Sequence, residues 1–263
     1  MSKIIDGKLV SSKVKEIVAH DVLRLKEKGI SVGLAVVIVG DDPASRIYVN
    51  NKKKACALTG IYSEEFALPE GTSQNELIDL IKQLNDDPRF NGILVQSPVA
   101  GDIDEEKIVE AINPIKDVDA FHPYNVGKIM IGDYTFLPCT PAGIIELIKS
   151  TGTSIDGKRC VIVGRSNIVG KPMSMLMLHN NATVTICHSR TKNLPEVCRS
   201  AEILISAVGK AGFITEDMVS DGTIVIDVGM NRDNSGKLCG DVDFEKVSSK
   251  SSYITPVPGG VGP

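Results

Sequence analysis

The sequence predicts an α/β protein of two domains, each with a parallel sheet flanked by helices, and three observations carry that reading. Apolar β-branched runs such as "LAVVIVG" (34–40), "GILVQSP" (92–98), "RCVIVG" (159–164) and "TIVIDVG" (223–229) are continuous, as in strands buried on both faces. Stretches of helical periodicity separate them, the order expected of βαβ crossovers. Polar and glycine residues then crowd the strand ends ("VGDDP", "VQSP", "VGRSNIVG", "CHSRT", "VGKAG", "DVGMN"), and in open α/β sheets ligands bind outside the carboxyl ends of strands. The two rims are expected to face one cleft holding the active site.

The chain has 263 residues, 42% hydrophobic and 24% charged, enough for two full-size cores. A net charge of −4 without a basic block argues against a nucleic-acid partner. No apolar run approaches the roughly 18–20 residues of a bilayer span, so no membrane is expected. The cysteines (56, 139, 160, 187, 198, 239) are scattered without a Cys-x-x-Cys pair. They read as reduced residues of a cytoplasmic protein with no metal site.

In order, "MSKIIDGKLVSSKVKEIVAH" reads as a strand turning into an amphipathic helix, not as a signal peptide. A helix opens at "PAS" with Ser45 as the expected N-cap, and "EEFALPE" (64–70) is a strand. "SQNELIDLIKQL" begins with a capping box, Ser73 to Glu76, and "DEEKIVEAI" is a further helix. Residues 113–129, rich in Pro, Asn and Gly, read as an irregular inter-domain segment. The expected domains are 1–121 and 122–253, with 254–263 packing back on the first. "TPAGIIELIKS" is a helix with Thr140 as cap and Pro141 at its first position. "GKPMSMLMLHNN" is another, with Met173, Met175 and Met177 as core filler, and "ATVTICH" (182–188) and "EILISAVG" (202–209) are strands.

"VIVGRSNIVGKP" joins a strand, a glycine-rich turn and a helix start, the setting that binds a pyrophosphate at a helix N-terminus. It is not the G-x-G-x-x-G fingerprint, because Arg165 and Ser166 follow Gly164. No acid lies between Asp156 and Glu196 to bond a ribose 2′-hydroxyl; His188, Ser189 and Arg190 end the next strand instead. Two guanidiniums and a hydroxyl suit a 2′-phosphate, so the reading is a Rossmann-type domain that takes NADP in preference to NAD.

The stretch "IYVNNKKKACALTGI" (47–61) places three lysines on one helix. With Tyr48 at zero, Lys52 falls at about 40°. It lies in an arc with Ile47, Val49, Ala55, Cys56, Leu58 and Thr59, while Lys53 and Lys54 face the other way. From the helix alone Lys52 is either a snorkelling residue at a core edge or a group aimed into a cleft. An amine taken out of water gives up its proton more readily, which suits proton transfer. Gln96 ends a strand, Asp119 lies in "KDVDAF", and the glycines of "TPVPGGVGP" allow backbone to approach a flat ligand.

These segments, with "INPIKDVDAFHPYNVGKI" and "PCTPAGIIELI", resemble the bifunctional methylenetetrahydrofolate dehydrogenase/cyclohydrolase family, in family order from about residue 30 onward. The resemblance implies two reactions at one site, in one-carbon metabolism. A hydride passes from 5,10-methylenetetrahydrofolate to NADP, and water then opens the methenyl product to 10-formyltetrahydrofolate. It implies catalytic roles for Lys52, Tyr48, Gln96 and Asp119, with Ser97, Pro258, Gly259 and Gly260 also lining the folate site. Gly164, Arg165, Ser166, Ser189, Arg190 and Met230 would hold the cofactor, and the cofactor domain would form a homodimer. Asp117 is expected to be a structural turn residue, His122 a cap and His188 a neighbour of the cofactor.

Several positions depart from the family pattern. "QSPVA" stands where Gln-Leu-Pro-Leu is usual, Ala120 where glycine is usual, Met230 where isoleucine is commoner, and Pro263 where the family runs on into a final helix. They leave three alternatives: a dehydrogenase without the hydrolase, a related dehydrogenase of shikimate-like or amino-acid substrates, or a nucleotide sensor without catalysis.

Overall fold

The computed structural model describes residues 2–233 and 235–263. Two compact units form, Ser12–Leu137 and a second made of Met1–Ser11 with Pro138–Pro263. Along the chain, β1 (Lys3–Ile4) leads into α1 (Gly7–Glu27). The unit Ser12–Leu137 continues with β2 (Gly33–Val39), α2 (Pro43–Thr59), β3 (Tyr62–Leu68), α3 (Gln74–Asp86), β4 (Gly92–Val95), α4 (Glu105–Ala111) and α5 (Pro123–Ile131). The other unit contains α6 (Cys139–Ser150), β5 (Arg159–Val163), α7 (Gly170–His179), β6 (Thr183–Cys187), α8 (Leu194–Arg199) and β7 (Ile203–Ser206). It ends with β8 (Ile224–Asp227), β9 (Asn231–Arg232), β10 (Leu238–Cys239), α9 (Phe244–Val247) and β11 (Tyr253–Ile254).

In the unit Ser12–Leu137 the sheet order is β3-β2-β4, all parallel, with β2 central. Its continuous apolar run follows from burial on both faces. Ala35, Val37 and Val39 pack with Leu77, Ile81 and Leu84 of α3, and Val36 and Ile38 pack with Val49 of α2. The capping box of α3 is closed in both directions: Ser73 Oγ accepts the Glu76 N–H and the Glu76 carboxylate accepts the Ser73 N–H.

The cap of α2 is Asp42, not Ser45. Its carboxylate accepts the Ser45 N–H at 2.8 Å, and Pro43 occupies the first turn, where a missing N–H costs nothing. The stretch 113–129 is not irregular throughout, since α5 begins within it. His122 Nδ1 accepts the Tyr124 N–H at 3.0 Å, Pro123 follows the cap, and Asn125 and Ile129 are buried. Helix α6 starts at Cys139, so Thr140 lies inside it.

The other unit carries a six-stranded sheet, β1-β11-β8-β7-β5-β6, parallel throughout. This corrects the expected domain boundaries. The boundary between units falls at 137/138 because α5 is tied back, Asn125 Nδ2 donating to Pro114 O and Asp117 Oδ2. Residues 254–263 do pack on the start of the chain, Ile5 N–H to Ile254 O and Gly7 N–H to Gly259 O, both 2.9 Å. Yet both segments belong to the six-stranded unit, because β11 is inserted between β1 and β8.

Candidate active site

Helix α2 turns Lys52 inward, half-buried, while Lys53 and Lys54 are exposed and Lys53 pairs with Glu65 at 2.9 Å. The apolar arc around Lys52 is narrower than expected: Val49 and Cys56 are buried, but Ile47 and Leu58 face outward. Lys52 Nζ donates to Gln96 Oε1 at 3.0 Å, just past the carboxyl end of β4. The Gln96 amide can take only that orientation, because its Nε2 donates to Ser97 O at 2.7 Å. Ser97 Oγ in turn donates to Glu105 Oε2 at 2.7 Å, and Glu105 Oε1 accepts the Val99 N–H at 2.9 Å. The departure "QSPVA" therefore replaces an apolar side chain with a hydroxyl latched to the first residue of α4. Tyr48 lies one turn before Lys52 and is 42% exposed.

Asp119 completes this group. Burial pushes its carboxyl up to about 6; the charge of Lys52 opposes that rise and the charge of Asp117 adds to it. Asp117 is committed to structure, its Oδ2 accepting the His122 N–H and Asn125 Nδ2, both at 2.8 Å. The next residue after Asp119, buried Ala120, sits at φ 55°. The alanine methyl is held in the left-handed region at a cost of about 1–2 kcal/mol, which glycine would not incur. One rim of this unit thus gathers an amine, an amide oriented against it and a carboxyl that titrates near 6.

In the six-stranded unit the strand order reverses between β5 and β7, the switch point at which open α/β sheets bind ligands. Gly164, at φ 131°, follows β5; a Cβ there would lie 2.4 Å from Ala207 O, and one on Gly170 2.3 Å from Gly164 O. Bare backbone thus forms a close cradle at the start of α7, as a pyrophosphate site requires. Ser166 Oγ accepts the Val169 and Gly170 N–H groups at 3.2 and 3.3 Å, so its acceptor capacity shapes the turn and its O–H is left as a donor.

After β6, "HSRT" folds on itself. The His188 N–H donates to Thr191 Oγ1 at 2.9 Å and the Arg190 N–H to His188 Nδ1 at 3.1 Å. Ser189 and Arg190 are exposed, as is Arg165, and among the described residues no carboxylate pairs with either guanidinium. This donor set fits a 2′-phosphate. Met230 is 56% exposed and near Gly262, while Pro258, Gly259 and Gly260 follow β11 beside the first turn of α1. A hollow of about 600 Å³, lined in part by Lys158, Arg159, Glu202 and Asp221, lies at the amino ends of β5, β7 and β8, the rim opposite these residues. Among the described residues no cluster of His, Cys, Asp or Glu could hold a metal, and no helix is long and apolar enough to cross a membrane.

The sequence reading passed over Glu105, Asp227 and Asp241. Asp227 and Asp241 are buried carboxylates beside the switch point, and each is flagged in the sequence only by a glycine next to its partner or itself ("DVGMN", "CGDVD").

A nucleotide-binding sheet and a separate rim built around a lysine define a two-domain nicotinamide-dependent enzyme. Residues 5–119 match the family profile "Tetrahydrofolate dehydrogenase/cyclohydrolase, catalytic domain", and residues 138–263 match its NAD(P)-binding domain. The chain belongs to the tetrahydrofolate dehydrogenase/cyclohydrolase family. It is 60% identical to "Bifunctional protein FolD" of Acetivibrio thermocellus over 262 residues, 100% of this chain and 92% of the relative. The crystal structure of the bifunctional FolD methylenetetrahydrofolate dehydrogenase/cyclohydrolase of Campylobacter jejuni is 50% identical, with a TM-score of 0.96 over 100% of this chain and 93% of the other. The Trypanosoma brucei dehydrogenase-cyclohydrolase, solved with NADP cofactor and inhibitor, is 35% identical with a TM-score of 0.92 over 99% and 92%.

Proposed function

We propose that this protein oxidises 5,10-methylenetetrahydrofolate with NADP and hydrolyses the methenyl product to 10-formyltetrahydrofolate. The observation that carries this reading is the 3.0 Å bond from Lys52 Nζ to Gln96 Oε1 beside Asp119, in a chain matching both domains of the family. When bound, NADP supplies the hydride acceptor. The residues that fit it are Arg165, Ser189 and Arg190 for the 2′-phosphate and the Gly164–Gly170 turn for the pyrophosphate.

Hydride loss needs the bridge carbon held against the nicotinamide, so binding residues dominate that step. Asp119 is suited to the two parallel N–H donors of the aminopyrimidine edge, and Tyr48 to the ring and its stem. In hydrolysis, the oxygen of water bonds to the bridge carbon and loses both its protons as it becomes the formyl oxygen, the carbon–N5 bond breaks, N5 gains one proton, and the other is released to solvent. Lys52 is placed to carry these protons, and Gln96 orients its amine without adding charge.

An absorbance time course following reduced cofactor and methenyl product together tests the proposal. NADPH formation without methenyl accumulation is the expected result; no reduction of NADP by folded protein would remove it. Methenyl accumulation would leave a dehydrogenase alone.

Two smaller effects follow. Ser97→Ala unlatches the turn after Gln96; a hydrogen bond to a charged group is worth about 1.5–3 kcal/mol, so hydrolytic turnover is expected to drop about tenfold while the KM for NADP holds. Arg190→Ala removes one of two cations suited to the 2′-phosphate, and the NADP-over-NAD preference in kcat/KM is expected to fall at least about tenfold.

Assembly as a homodimer is also proposed. The outer strand β6 supports it, since among the described residues β6 pairs only with β5 and leaves Thr183, Thr185 and Ile186 exposed. Light scattering at twice the chain mass, lost in Ile186→Lys, is the expected result. Buried, unpaired Cys56, Cys160, Cys187 and Cys198 support a cytoplasmic setting.

A further inference from the structure

A buried carboxylate draws together four donors from two segments. Asp241 is fully buried. Its Oδ2 accepts Ser206 Oγ at 3.1 Å and the Val208 N–H at 2.7 Å; its Oδ1 accepts the Lys210 N–H and Asn231 Nδ2, both at 2.9 Å. An ionised carboxylate offers about four lone-pair sites and no donor, and all four are filled here.

Asp241 is itself anchored by Asp227. Asp227 Oδ1 accepts the N–H groups of Gly229 and Asp241, and Oδ2 that of Val242, each at 2.9 Å. The Asp227 N–H donates to Thr255 Oγ1 at 2.8 Å, at the head of "TPVPGG". Space around the pair is closed: a Cβ on Gly229 would lie 2.3 Å from Asp241 Oδ1, and one on Gly240 1.8 Å from Asp227 Oδ2. Two like charges are thus buried together, an arrangement that simple packing does not favour and that only converging donors offset.

The segments they join are those that end β7 and β8. The 208–210 turn forms one lip of the switch-point crevice, opposite Gly164, and 229–231 carries Met230. Resting on the reading that this crevice takes NADP, we propose that Asp241 is a positioning residue for the cofactor. With its backbone N–H held by Asp227, its carboxylate fixes the turns after β7 and β8 in register so that NADP meets a preformed crevice. Asp241 touches no reacting atom in this scheme and has no part in hydrolysis, which needs no nicotinamide.

Asp241→Asn tests this. An asparagine turns an NH2 group toward two of the four donors, so two bonds are lost without loss of volume. In the full-length variant, NADP binding followed by calorimetry should weaken about tenfold or more, as should the KM for NADP. Hydrolysis of 5,10-methenyltetrahydrofolate, assayed without nicotinamide, should stay within about twofold, a split that a general loss of structure does not produce.

If the asparagine variant does not fold, Ser206→Ala decides. Ser206 is fully buried, and removing its hydroxyl deletes one bond to Oδ2; NADP should then bind about three- to tenfold more weakly, with hydrolysis again unchanged. NADP affinity equal to the parent's in a folded variant, or equal losses in both activities, overturns the inference. A parent protein that does not bind NADP overturns the underlying reading instead, and this proposal with it.

Discussion

Lys52→Met is expected to lower hydrolysis of the methenyl substrate by about 10²–10⁴-fold, the range that a positioned proton-transfer group supplies, while NADP binding persists. Methionine keeps the length and the apolar stem but removes Nζ, so Gln96 Oε1 loses its donor and no group remains to carry the proton. Oxidation depends on placement more than on proton transfer, so the variant should reduce NADP and accumulate methenyl product. Lys52 is half-buried, and replacing an ammonium there with a thioether should change stability by no more than about 1 kcal/mol. Lys52→Arg separates charge from proton transfer: a guanidinium keeps the positive charge but does not release its proton near neutrality, so it should fail as methionine does. Hydrolysis at the parent rate in either variant would mean that Lys52 is only a snorkelling residue.

That lysine was legible as a candidate because its signal is local, and the family resemblance decided between a core edge and a cleft. Helical spacing sets three successive lysines about 100° apart, and only Lys52 falls between Thr59 and Cys56, both buried. The width of the buried face was not legible. Ile47 and Leu58 are apolar yet exposed, because one turn of α2 needs few anchors against β2. Continuous apolar runs showed the central strands, whereas β1 and β11, two residues each, and α8, six residues, are too short to show a period. His122 was expected as a cap, but the helix it opens was not legible, because an imidazole nitrogen stands where Ser, Thr, Asp or Asn is the usual signal of a helix start. The Asp227–Asp241 pair was hidden for a different reason. Its partners lie up to 35 residues apart in the chain, and no periodicity records a hydrogen bond between loops.

The legible site and the hidden brace also differ in what they demand of the sequence. Lys52 on an apolar helix face and Gln96 at the end of an apolar strand are polar groups left at a rim and visible as exceptions in their patterns, whereas Asp119 lies in the polar stretch "KDVDAF" and stands out only through the family resemblance. Asp241 is satisfied by its surroundings, and the cost of burying it shows up at other positions. Gly229 and Gly240 have no Cβ where one would strike a carboxylate.

The proposed place of Asp119 in the folate site ties binding to pH, and the expected behaviour has a definite sign. Burial raises its carboxyl to about 6 from the ordinary 3.8, with Lys52 acting against the rise. In the unliganded protein this group therefore adds stability that is fully present below 3.8 and is lost as pH rises through about 6. Ligand binding runs the other way. The aminopyrimidine edge offers two N–H donors, which the ionised carboxylate accepts and the protonated acid meets with a donor of its own. Affinity should accordingly weaken about tenfold per pH unit below that midpoint and level off above it, with a proton released on binding in the acid range. Folic acid, which carries the same edge, serves as a probe that does not depend on turnover. Titrating it across this range in two buffers of different ionisation heat reads affinity and proton release together. Asp119→Asn should flatten the profile and weaken binding about 10²-fold at neutral pH, since one of two charge-assisted bonds is lost and the other weakened. A parent profile already flat through pH 6 would take Asp119 out of the pterin site and leave it as a half-buried acid serving only the fold.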